Sequence, residues 1–383
     1  MHAFSARTWS VLVVTTLSGV ALVGQSLSPA EQAADAARTA IAARPKSHEA
    51  QNDLAVALLR RARETADPAF YTQAAEPIAA ALTLAPDNFE ALKLRARVLL
   101  GLREWTQARE LAVTLNKRAP DDLQVYGFLT EANAELGNYS EAEAACQWML
   151  DLRPNNLAGF ARTAYLRELF GDVEGAIEMM TAVYQRTPSG ELEERAWALT
   201  RLGHLETQAG RLDRAESALQ AALMQFPDYH EALAKLAAVR VAQKKYPEAI
   251  DLLKRRYAAV SRPDNLYALA DAYERAGMRA EAAAAYADFE SRARRMVAGW
   301  DNANRELVFY YAGPGRRPAE ALKIAELEVA RRQDVRTLDA YAWALHANGR
   351  VHDARSQMDR VLAVGNKDPE ILARAAIIAG KKK

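Results

Sequence analysis

From residue 27 onward, apolar residues recur at spacings of three and four, as in Leu92, Ala96, Leu99 and Leu100. That is the period of an amphipathic helix. The helical stretches are interrupted at regular intervals. Pro86, Pro120, Pro154 and Pro188 are evenly spaced, at an interval of about 34 residues that falls within the range of repeat arrays. An alanine lies twelve residues before each, at Ala74, Ala108, Ala142 and Ala176, and the same offset joins Ala33 to Pro45 and Ala215 to Pro227. Another twelve residues back, most units carry a small residue: Ala96, Thr130, Ala164, Gly203, Ala237, Ala270 or Ala342. Gly137, Gly171, Gly210, Gly277 and Gly349 each precede such an alanine by five.

Each spacing has a mechanical reason. Two antiparallel helices approach closely only where side chains are small, so small residues at matching depths predict a helical hairpin. The glycine ends the first helix by accepting a left-handed conformation. The proline cannot continue the second helix and marks the passage to the next unit. Three residues before the alanine comes a bulky group, Trp105, Tyr139, Val173, Leu212, Tyr246 or Val351, suited to plugging the bend.

A small pair, a turn glycine, a plug, then alanine and proline at this period resemble the tetratricopeptide repeat. Residues 129–154 and 202–227 are the most typical units, and 334–350 resembles the terminal repeats of bacterial members of the family. The resemblance spans nearly the whole chain. It implies an all-α fold, an α-α superhelix (solenoid) of about nine helical hairpins whose concave face takes ligands. The units are expected at about 47–87, 88–121, 122–155, 156–188, 195–228, 229–262, 263–298, 302–333 and 335–365. A half-repeat at 28–45 opens the array through Ser28, Pro29 and Glu31, and a capping helix at about 369–379 with the lysine tail Lys381–Lys383 closes it. Three irregularities stand out: an excess around 64–73, six residues intruding from Ser189 to Glu194, and a Gly-Pro-Gly segment within 310–322. Such insertions are expected in surface loops.

The segment 1–26 breaks the pattern. Arg7 precedes an apolar run from Trp9 to Val23, then Gly24, Gln25 and Ser26. This reads as a signal peptide or, if uncleaved, a membrane anchor, although the run is short for a spanning helix of about 20 residues. The expected location is the periplasm, with inner-membrane anchoring as the alternative.

Charge and chemistry narrow the function. Fifty Lys+Arg against 49 Asp+Glu leave a net charge of +1, which gives no electrostatic case for nucleic acid. The single cysteine, Cys146, permits no internal disulfide and reads as a core residue. Phosphate-loop, dinucleotide, nucleophile-elbow and zinc-protease motifs are missing, so no enzyme activity, metal site or cofactor is expected.

In the family, the concave wall is lined by the first helix of each hairpin. Carried onto this sequence, that wall presents Lys93 and Arg97, Gln124 and Glu131, Arg162 and Tyr165, His204 and Gln208, and Tyr267 and Asp271. Polar and aromatic groups of this kind hold peptides. The function implied is a non-catalytic scaffold binding a partner protein or peptide in this groove, in a bacterial envelope assembly. A self-assembling structural protein using its solenoid ends, or the accessory subunit of an enzyme complex, is the alternative.

Overall fold

The computed structural model describes residues 27–313 and 315–380. The leader or anchor expected at 1–26 and the tail at 381–383 lie outside the described residues. The hydroxyl of Ser28 accepts the Glu31 N–H while the Glu31 carboxylate accepts the Ser28 N–H. This reciprocal cap, with Pro29 in the first turn, opens α1 (Pro29–Ala43).

Among the described residues, nine hairpins follow. The first four are α2 (His48–Thr65) with α3 (Ala69–Leu84), α4 (Phe89–Gly101) with α5 (Trp105–Arg118), α6 (Leu123–Leu136) with α7 (Tyr139–Leu152), and α8 (Leu157–Leu169) with α9 (Val173–Arg186). Then come α10 (Leu192–Gln208) with α11 (Leu212–Gln225), and α12 (His230–Ala242) with α13 (Tyr246–Ala259). The last three are α14 (Pro263–Arg275) with α15 (Arg279–Arg294), α16 (Asn304–Tyr311) with α17 (Pro318–Arg331), and α18 (Val335–Ala347) with α19 (Val351–Ala363). A lone α20 (Pro369–Ile378) covers the final hairpin.

The small residues lie where the helices cross. Ala108, Ala142, Ala176 and Ala249 and their partners Ala96, Thr130, Ala164 and Ala237 are all buried, as are Ala74 and Ala215. At Gly203 even a methyl group is too large: its Cβ would stand 2.5 Å from Leu219. Each hairpin's second helix packs on the next hairpin, and first helices also touch along the array, as α2 meets α4 and α4 meets α6. The result is a continuous stack in which each unit is buried by its neighbours. Cys146 is buried in it, its Sγ 3.3 Å from the Thr163 hydroxyl, and burial raises its thiol pKa.

Two irregularities are not loops. The segment 64–73 contains only a three-residue connection, Ala66–Pro68, as short as the corresponding Leu102–Glu104. The excess lengthens the helices instead, chiefly at the start of α2, which has 18 residues against 13 in α4. Seven residues are close to two helical turns, so the buried stripe keeps its facing. The residues before the fifth hairpin likewise add a turn to α10, which has 17 residues. Only the third irregularity is a loop, and there Arg316 lies 3.9 Å over the Tyr310 ring.

The solenoid returns on itself. The backbone N–H of Gln333 donates to the carbonyl of Leu136 at 3.2 Å, and the Val335 N–H donates to the Tyr139 hydroxyl at 2.8 Å. Asn366 Nδ2 lies 3.4 Å from the Leu169 carbonyl, and Arg103 Nε lies 3.9 Å from Asp301. In every case the bend inside one hairpin meets the linker that follows the fifth hairpin after it. Tyr139 and Val335 are separated by 196 residues, and Leu169 and Asn366 by 197 residues. Gly137 and Gly171 sit at this seam, where an added Cβ would come within 2.6 Å of the Gln333 carbonyl oxygen and 2.2 Å of that of Gly365.

Candidate functional site

First helices of successive hairpins line the inside of the superhelix, and their polar side chains meet there. Glu168, near the end of α8, is a buried acid on this wall. It accepts from Arg201, from His204 Nε2 at 2.9 Å and from Gln208 Nε2 at 3.1 Å, all on α10. Burial alone would raise the Glu168 carboxyl, but Arg201 and His204 outweigh it and hold the group well below the usual carboxylate range. His204 shows the opposite balance. Burial, reinforced by Lys235, lowers it to about 4 despite Glu168. At neutral pH His204 is therefore an uncharged donor to a buried carboxylate.

Further along the same wall, the Tyr165 hydroxyl donates to Glu135 at 2.9 Å, and burial drives its pKa up. Arg162 Nε donates to the Gly127 carbonyl at 3.0 Å, and its guanidinium lies 3.9 Å from Glu131. Gly127 makes this possible, because a Cβ there would stand 2.9 Å from the guanidinium carbon. Glu131 keeps 45% side-chain exposure. The surrounding protein raises its pKa, with Arg162 opposing, and that remaining contact with water moderates the rise.

Three cations on this wall have charges that no carboxylate neutralises closely. Arg97, Lys235 and Arg336 make no ion pair among the described residues. Burial lowers Arg97, helped by Arg63 and Arg162, and lowers Lys235 to about 8, helped by Arg201 and Arg336. Arg336 is an exposed residue of α18, and the desolvation it meets inside the superhelix is outweighed by Tyr165, Glu135, Glu168 and Asp334, which hold it strongly protonated.

The ten residues expected on the wall therefore separate. Arg97, Glu131, Arg162, Tyr165, His204 and Gln208 converge across α4, α6, α8 and α10. Lys93 is buried and engaged by Glu90 at 2.8 Å and Asp122 at 3.0 Å, where it ties α4 to the start of α6. Gln124 is exposed at the beginning of α6. Tyr267 packs 5.1 Å from Phe289 and 5.9 Å from Tyr286, and Asp271 is bonded to Arg275 at 2.6 Å. Both lie away from Glu168.

Sequence reasoning missed Glu168, Arg201, Lys235 and Arg336. A signal for two of them existed. Arg162, Arg201 and Lys235 occupy one position of successive units, and the longer of the two steps, from Arg162 to Arg201, contains the extra turn of α10. Arg336 carries no such signal, since it arrives from the ninth hairpin only because the superhelix closes.

Among the described residues no group of three or more His, Cys, Asp or Glu could hold a metal ion, and no helix is long and apolar enough to cross a membrane. Tetratricopeptide-repeat family models match residues 93–156, 169–239 and 206–264. A comparison with curated proteins finds no significant match. Among solved structures, the APC/C hetero-tetramer Cut9–Hcn1 is similar over 91% of this chain and 58% of that one, with a TM-score of 0.56 and 15% identity. The chain thus spans little more than half the length of that relative. PilW, a widely conserved type IV pilus biogenesis factor, matches over 54% of this chain and 93% of its own (TM-score 0.46, 15% identity). MamA matches over 46% and 94% (TM-score 0.36, 20% identity). Nine hairpins built on one arrangement of small residues, with family matches in both halves, lead to one assignment: the chain belongs to the tetratricopeptide-repeat family.

Proposed function

We propose that this chain is a non-catalytic scaffold that holds an acidic segment of a partner protein along its inner wall. The observation that supports this reading most directly is the set of under-neutralised cations, Arg97 and Lys235, lowered by burial and by like charges. A desolvated cation without a partner is costly, and an incoming carboxylate removes that cost. The perturbed acids here serve as anchors for neighbouring side chains, and no nucleophile with an adjacent base accompanies them, which favours binding over catalysis. An envelope setting rests on the leader-like composition of residues 1–26.

The test is fluorescence anisotropy with labelled peptides of matched length carrying acidic, neutral or basic residues. The acidic peptides should bind, with affinity falling as salt rises. Arg97→Glu with Lys235→Glu should weaken them about tenfold or more without loss of helicity. Equal binding of all three peptide classes, or no effect of the double variant, rejects the acidic-segment reading.

A further inference from the structure

A second polar region lies away from Glu168, where the first hairpin meets the hairpins four, five and six units later. It is a cavity of about 360 Å³, a size suited to a small organic molecule. One side comes from the end of α2, the bend after it and Gly101. The other comes from α10, α12, α13 and α14. The cavity is therefore assembled only when the superhelix closes.

Most charges on its wall are already matched. Arg63 pairs with Glu193 at 3.1 Å, and Arg262 pairs with Asp301 at 2.8 Å and Asp264 at 3.1 Å. His230 shares a hydrogen bond of 3.1 Å with the Arg63 carbonyl, and burial keeps it neutral. Two charges remain. Neither Arg256 nor Glu231 makes an ion pair or a side-chain hydrogen bond among the described residues, although both line the cavity. Burial lowers the Arg256 pKa, with Asp264 and Glu231 opposing from a distance.

Unpartnered polar atoms concentrate on the same wall. The Nε atoms of Arg63 and Arg256 and the Oδ1 atom of Asn265 are buried without a hydrogen-bond partner. Asn265 is 2% exposed and spends its Nδ2 on the Val260 carbonyl at 2.7 Å. Buried polar groups are almost always satisfied, so three exceptions around one cavity call for an explanation. Beside them stand the rings of Tyr71 and Trp197.

We propose that this cavity binds a free α-amino acid with a large apolar side chain. Its carboxylate meets Arg256, its ammonium meets Glu231 and the Asn265 Oδ1, and its side chain lies against Tyr71 and Trp197. One unmatched cation and one unmatched anion fit a zwitterion better than phosphate, whose second negative charge would face Glu231, Asp264 and Asp301. A peptide terminus offers only one of the two charges at a given residue. Because the walls come from both turns of the superhelix, the bound molecule fastens them together.

The experiment is calorimetric titration of the full chain with L-phenylalanine, 3-phenylpropanoate, phenethylamine and inorganic phosphate, followed by the other common amino acids. Saturable binding of an apolar amino acid is expected. Removing either charge from the ligand should weaken it at least about tenfold, the scale of one lost charged hydrogen bond. Arg256→Gln and Glu231→Gln should each have the same effect while circular dichroism stays native. If Arg256→Gln does not fold, Glu231→Gln carries the test. The proposal is overturned if no amino acid binds, if phenylpropanoate or phosphate binds as well as phenylalanine, or if the folded variant retains full affinity.

Discussion

The hydroxyl of Tyr139 accepts the backbone N–H of Val335 at 2.8 Å, so a residue that plugs one hairpin also caps the first helix of another. A helix start leaves its first N–H groups without intrahelical partners, and Tyr139 supplies one from 196 residues away. Replacing it by phenylalanine keeps the ring and strands a buried donor. Tyr139→Phe should lower stability by about 1–3 kcal/mol in urea denaturation. An unchanged midpoint would mean that water replaces the hydroxyl.

Gly137 and Gly210 end equivalent helices with φ of +84° and +76°, yet their surroundings differ. A Cβ on Gly137 meets the Gln333 carbonyl oxygen, whereas one on Gly210 meets nothing within 4 Å. Both alanine variants should lose about 1–2 kcal/mol from backbone strain. Only Gly137→Ala should also loosen the seam, read as a larger radius of gyration in small-angle scattering. Equal radii for the two variants would remove the seam as the reason for glycine at 137.

The hairpin crossing is tightest at the repeated alanines. Ala142 is fully buried, and Ala142→Leu forces extra methylenes into a packed crossing. A loss of roughly 1–3 kcal/mol is expected from overpacking. Gln107→Leu, on the exposed side of α5, should change little and serves as the control.

Acidification should act through His204 and then Glu168. His204 titrates at 6.5 unfolded and about 4 folded, so the unfolded chain takes up its proton first. Stability from this group is complete above pH 6.5 and is lost as pH falls towards 4, by up to about 3 kcal/mol. Glu168, also depressed, holds its contribution above 4.5 and loses it at lower pH. His204→Gln, which keeps a donor near Glu168, should reduce the pH dependence of the urea midpoint between 6.5 and 4, leaving the share of His230, which burial also lowers, and the more acidic loss in place. An undiminished slope in that window would remove His204 as its source.

Much of this was legible in the sequence because it is local. Helix type, hairpin pairing and the small crossing residues all follow from spacings within one unit, and Ser28 with Glu31 announces the first helix unaided. The inner wall was legible in outline, since Arg97, Glu131, Tyr165 and His204 recur at one position of successive first helices. What escaped depended on geometry accumulated over five units. Nothing near Arg336 or Glu135 in sequence says that they will face one another. The placement of the extra residues was misjudged for a related reason: seven residues added to a helix preserve its buried face, so α2 absorbs them more readily than the bend does.

The seam also changes how such a chain should fold. An open array of hairpins has contacts confined to neighbours and a low contact order, so its units can form quickly and in any order. Here pairs such as Leu136 and Gln333 must find each other across half the length of the chain, after the intervening hairpins have set the pitch. Closure is thus a late step with its own kinetics, and it rewards a fixed number of units per revolution. Duplicating or deleting a single interior repeat, harmless in an open array, would slip the thread of the screw and bring every bend against the wrong linker.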